Sequence, residues 1–246
     1  MLKKFDVPYF HSKEFFNRTN SGQRLVWYKH WSDKKANFFI GALAKLIHLS
    51  PLWPIGAVVH LADFNSLSYG EKKHYTGGLF DGHKWYATGA PSKPYYLAMM
   101  LSWREAFQRA NSDTEVHFLY EHQQEYESGA YHFFYHSKQV LYKEFSDKMG
   151  HIGFADKQKF VGLQAADLLA YSWNNYLTRG VERLRTDSIE TLMELTQKRD
   201  SFPIANAEYF ETQRRLQSEV QSEEWLTALI NTPKPSQPRL TKGRNG

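Results

Sequence analysis

Apolar residues recur along this chain first at one period and then at another, and their order carries the first structural expectation. From Phe5 to Phe16 they alternate imperfectly, as in a strand running into a loop that holds His11 and Glu14. Phe38, Phe39, Ala42, Leu43, Leu46 and Ile47 then repeat at helical spacing behind Ser32 and Asp33, which suit an N-cap. A helix is therefore predicted over 34–48, and Pro51 and Pro54 end it. The β-branched run IGAVVHL predicts an interior strand over 55–61, with Asp63 just past its end.

Residues 66–93 hold Gly70, Gly77, Gly78, Gly82 and Gly89 without a sustained period, the pattern of a long loop. Pro94 suits the first turn of a helix predicted to 110. The alternating EVHFLY predicts a strand over 115–120, with Glu121 at its exit. A helix over 130–148 is read as closed by Gly150, and a strand over 151–155 leads to Asp156 and Lys157. The next helix is predicted over 162–177, with Gly180 breaking it. The segments 181–199 and 205–230 are polar and charged, as peripheral helices are.

Within 162–177, Leu163, Ala166, Leu169, Ala170 and Trp173 leave hardly any polar face, so the helix is expected to pack on several sides. Asp167 stands among them. An ionised carboxylate cannot stay unpaired in apolar surroundings. It must be neutralised, hydrogen-bonded, bound to a cation, or paired with Lys157, Lys159 or Arg179.

Strands alternating with helices predict an α/β layered domain with a partly parallel sheet over 1–180, a helical extension over 181–232 and a disordered basic tail over 233–246. In such sheets ligands gather beyond the carboxyl ends of strands. Asp63, Glu121 and Asp156 stand at those ends, and Asp167 projects from the following helix. Carboxylates that converge without Lys or Arg imply Mg²⁺ or Mn²⁺, which take oxygen ligands, and two such ions can clamp a phosphodiester displacement. The competing reading makes Asp63 and Asp156 turn residues, Glu121 the start of a solvated loop and His60 a hydrogen-bonded core histidine.

Composition narrows the choice. The chain has no Cys, which removes disulfides, thiolate metal sites and cysteine nucleophiles. Aromatic residues make up 16% of it, enough for a packed core. The apolar runs are too short to span a bilayer and the start lacks a hydrophobic signal core, so a soluble, cytoplasmic protein with no membrane partner is expected. The net charge of +5 hints at nucleic acid, but Lys234, Arg239, Lys242 and Arg244 lie in the tail, and without them the balance is 27 basic to 26 acidic residues. No P-loop, dinucleotide-binding glycine pattern, HExxH or GxSxG is present.

The segment GLQAADLLAYSWNNYL, preceded by HIGFADKQKF, resembles the signature of the domain-of-unknown-function family DUF3800, in which a short strand leads to a Leu-Gln-x-Ala-Asp helix. YFHSKEF, Trp31, NFFIGALAKLIHL and IGAVVHLADFN are similar to that family's earlier elements. The resemblance runs from Pro8 to Leu177. It implies a ribonuclease H-like mixed sheet flanked by helices, with extra C-terminal helices, and a metal-dependent nuclease. Asp167 and Glu121 would be the metal ligands, Asp156 a third catalytic acid, and Lys157 and Gln164 the phosphate-positioning groups. Before Pro8 the chain departs from the family pattern, since no Asp-Glu-Ser strand stands there. The alternative is a binding or partner-interaction protein that keeps the fold with an incomplete acid set.

Overall fold

Three aromatic-rich clusters organise the described residues. The computed structural model describes residues 2–76, 79–80, 85–86, 93–141, 143–179 and 203–220. The predictions for 181–202, for the end of the last helix beyond Val220 and for the basic tail lie outside them.

The first cluster is built at the start of the chain. The expected strand over 5–16 is instead a 3₁₀ turn, Leu2–Phe5, followed by a short helix α1, Ser12–Phe16. Phe5, Phe10, Phe15 and Tyr28 gather around Phe39 and Ile40 of α2, Asp33–Leu49, and around Leu168 and Trp173 of α7, Val161–Arg179. Side chains of this size each stabilise by about 1.5–3 kcal/mol when fully buried. Here an irregular segment reaches that burial through its rings, without strand pairing. The helix α2 starts as predicted, with the Ser32 hydroxyl accepting from Lys35 N at 3.2 Å.

The expected strand over 55–61 shrinks to β1, Val58–Val59, paired in parallel with β6, Ile204–Ala205. Its partner sets that length. Pro203 has no N–H to donate, and Asn206 already accepts Tyr209 N at 3.0 Å with its side chain to start α8, Ala207–Val220. The chain therefore turns at His60 into a helix α3, Leu61–Ser66. The region read as a long loop contains α4, Tyr69–Tyr75, opened by a Ser68/Glu71 capping box, and a short antiparallel pair β2, Leu79–Phe80, and β3, Trp85–Tyr86. Phe64, Tyr75, Leu97, Leu101 and Phe210 form a further cluster, shared by α3 and α4 with later helices.

The helix α5, Pro94–Arg109, and the strands β4, Val116–Glu121, and β5, Met149–Ala155, match their predictions closely. β4 and β5 pair in parallel from Val116 and Met149 to Glu121 and Ala155, with a bulge between Val116 and Phe118. One face of this pair lies on α5 and α6, Glu127–His136, through Trp103, Phe107, Phe133 and Phe134. The helix predicted over 130–148 is interrupted by a π-helical turn, Ser137–Leu141, and a 3₁₀ stretch, Lys143–Lys148. Gly150 lies inside β5 and does not cap a helix.

The chain is thus mixed α/β with small parallel sheets. No helix among the described residues is long and apolar enough to cross a membrane.

Candidate functional site

The polar residues of α7 meet the start of the chain. Gln164 and Asp167 are three residues apart on a helix and so share a face. Opposite them the backbone at His11 is extended, with φ −142° and ψ 118°. Alternate N–H groups of an extended segment point the same way. The two spacings match: Phe10 N donates to Gln164 Oε1 at 2.9 Å, and Ser12 N donates to Asp167 Oδ2 at 2.7 Å. The other end of the Gln164 amide donates to Lys157 O at 2.9 Å. Two side chains of α7 therefore act as a surrogate strand edge.

Asp167 is half-buried, and Ala166 and Ala170 beside it are exposed, which corrects the expectation of a helix enclosed on nearly every side. Its partner is none of Lys157, Lys159 or Arg179 among the described contacts, but the backbone N–H of the first residue of α1. A carboxylate at a helix N-terminus satisfies an orphan donor and meets the positive end of the helix dipole.

Asp63 does the same elsewhere. It lies in the first turn of α3, past no strand of the expected length, and its Oδ2 accepts Ala207 N, the first residue of α8, at 2.8 Å. His60 Nδ1 stands 2.8 Å from that oxygen, on an exposed side chain that corrects the core-histidine reading.

The strand-end acids are also occupied. Glu121 Oε1 lies 2.8 Å from Lys157 Nζ, the Lys side chain only 12% exposed and the Glu 37%. Asp156 Oδ1 accepts Gln158 N at 2.8 Å, closing the turn between β5 and α7. Lys157 thus neutralises Glu121 with its amine and fixes Gln164 with its carbonyl.

Residues read from the sequence as an ordinary polar loop complete the neighbourhood. Glu14 Oε1 accepts from Tyr9 OH at 3.2 Å and lies 3.2 Å from His11 Nδ1. Glu14 Oε2 and Ser12 Oγ are buried without a hydrogen-bond partner among the described residues. Burial, reinforced by Glu14, raises the Tyr9 pKa, and burial raises that of Tyr28. No periodicity in the sequence could have placed these groups opposite Asp167, because they stand about 155 residues away along the chain.

Mg²⁺ and Mn²⁺ need several oxygen donors converging on one point. Among the described residues no three His, Asp or Glu side chains are so placed. Glu121 is matched to an ammonium, and Asp167 to an amide N–H. As placed, the predicted acids do not fit such an ion. Against protein-family models, curated proteins and solved structures, the chain gives no match.

Proposed function

We propose that this chain is a non-catalytic, ribonuclease H-like domain that binds a protein partner, its acids having been taken into the fold. The observation that carries this reading is the Asp167 carboxylate spent on Ser12 N, with Glu121 held by Lys157. The ribonuclease H-like part draws support from the parallel pair β4–β5 leading directly into α7. Binding draws support from Val26 and Trp27, which are 56% and 49% exposed. Val26 has φ +47°, a costly conformation for a β-branched residue, and such strain is ordinarily retained where it serves a surface or a site. The nearly even charge balance outside the tail favours a protein partner over nucleic acid.

The test sets stability against catalysis. Asp167→Ala is expected to lower unfolding stability by about 1.5–3 kcal/mol, the worth of a hydrogen bond to a charged group. DNA and RNA incubated with the parent protein and Mg²⁺ or Mn²⁺ should stay intact. Metal-dependent cleavage by the parent, lost in Asp167→Asn at unchanged stability, would overturn the proposal and restore the nuclease with Asp167 and Glu121 as ligands.

A further inference from the structure

On α6, His132 and His136 are one turn apart. The i, i+4 spacing brings their Cβ atoms to within about 5–6 Å on one side of the helix. With Tyr131, Tyr135 and Gln139 they line an open concavity of ≈ 380 Å³. We propose that His132 and His136 form a two-imidazole site for a divalent transition-metal ion, with zinc the expected occupant.

Two observations converge on this pair. His136 Nε2 is buried with no hydrogen-bond partner among the described residues. Such a nitrogen costs roughly 1–3 kcal/mol, and a water or an ion ordinarily meets it. The terminal torsion of an imidazole is broad and roughly two-fold, so the ring can turn without moving the backbone.

In addition, α6 gives way at once to the π-helical turn Ser137–Leu141, and π turns recur at functional sites. That turn carries Gln139 to the rim of the same concavity.

The ligand chemistry selects the ion class. Imidazole suits zinc, copper and nickel, whereas Mg²⁺ and Ca²⁺ take oxygen. No third His, Asp or Glu joins the pair among the described residues, which leaves the remaining positions to water or to a group from a second molecule. Another close histidine pair among the described residues is a poorer candidate. On β4 and β5, His117 and His151 stack at 5.5 Å, but His117 Nδ1 already accepts His151 N at 3.2 Å and its Nε2 faces Glu115.

Zinc chloride titrated into the full chain by calorimetry should reveal a site that weakens at least about tenfold in His132→Ala, as loss of a ligand demands. His132 is exposed, so this variant is expected to keep the parent's urea midpoint and to separate ligation from folding. His136→Ala should act alike, whereas His117→Ala should leave the site unchanged, and Mg²⁺ should not compete. Equal zinc affinity in the parent, His132→Ala and His136→Ala would overturn the proposal, as would a site lost only in His117→Ala.

Discussion

Replacing Gln164 with alanine removes both bonds that its side chain makes across the fold. Phe10 N then has no acceptor, and it sits in a buried bond beside an almost fully buried Phe10 ring. Leaving such a group unsatisfied costs about 1–3 kcal/mol. The second bond, to Lys157 O, is only partly buried, so water recovers some of it and its loss adds about 0.5–1.5 kcal/mol. The sum is about 1.5–4.5 kcal/mol, and at roughly 2–4 °C per kcal/mol for a chain of this length the melting temperature should fall by about 3–18 °C. Urea unfolding followed by tryptophan fluorescence measures this directly. Gln124→Ala, on an exposed side chain, supplies the control and should cost less than about 0.5 kcal/mol. Gln164→Glu keeps the acceptor for Phe10 N but sets a second oxygen against Lys157 O, and should be destabilising at neutral pH. If Gln164→Ala costs no more than Gln124→Ala, the α7 latch does not hold the N-terminal segment and the account of Asp167 falls with it.

Two further predictions concern other parts of the fold. Hydrogen bonds from Ser68 first, and then the Arg214 guanidinium, hold the Glu71 pKa down at about 2 against an ordinary 4.5. A depressed folded pKa stabilises above the unfolded value, so the advantage of the parent over Glu71→Gln should be full above about pH 5 and vanish as pH falls through about 2, in urea midpoints measured across that range. In α6, a Cβ at Gly129 would fall on the Tyr96 hydroxyl and 2.9 Å from its Cζ. Gly129→Ala should therefore cost about 1–3 kcal/mol despite the better helix propensity of alanine. Tyr96→Phe should return part of that cost in a double-mutant cycle.

Elements whose form depends on local pattern were legible in the sequence. α2, α5, β4, β5 and α7 carry their own apolar period and their own start signals, and they stand within a few residues of prediction. Elements set by a distant neighbour were not. The run 55–61 has the composition of a long strand, yet Pro203 and Asn206 on the partner allow only two paired residues. Gly150 looked like a helix cap, whereas its neighbours across the sheet explain it better: a Cβ there would stand 2.6 Å from His117 Nδ1. At the candidate site the sequence announced that Asp167 needed a partner, but Lys157, one of the partners read for it, instead meets Glu121 and holds Gln164 through its carbonyl. The partner itself, a backbone amide in an aromatic-rich segment, carries no compositional mark.

The distance spanned by the α7 latch has a consequence for how the protein is made. Phe10 and Ser12 leave the ribosome 154 and 155 residues ahead of the side chains that accept their N–H groups. At roughly 5–20 residues per second, that is a delay on the order of 10–30 s. During it Phe5, Phe10 and Phe15 can meet α2 but not Leu168 or Trp173, so the first aromatic cluster is open on one side. A nascent chain in that state presents sticky rings to other chains and to chaperones. The same pair of hydrogen bonds that fastens the finished fold therefore marks when its earliest segment ceases to be a hazard.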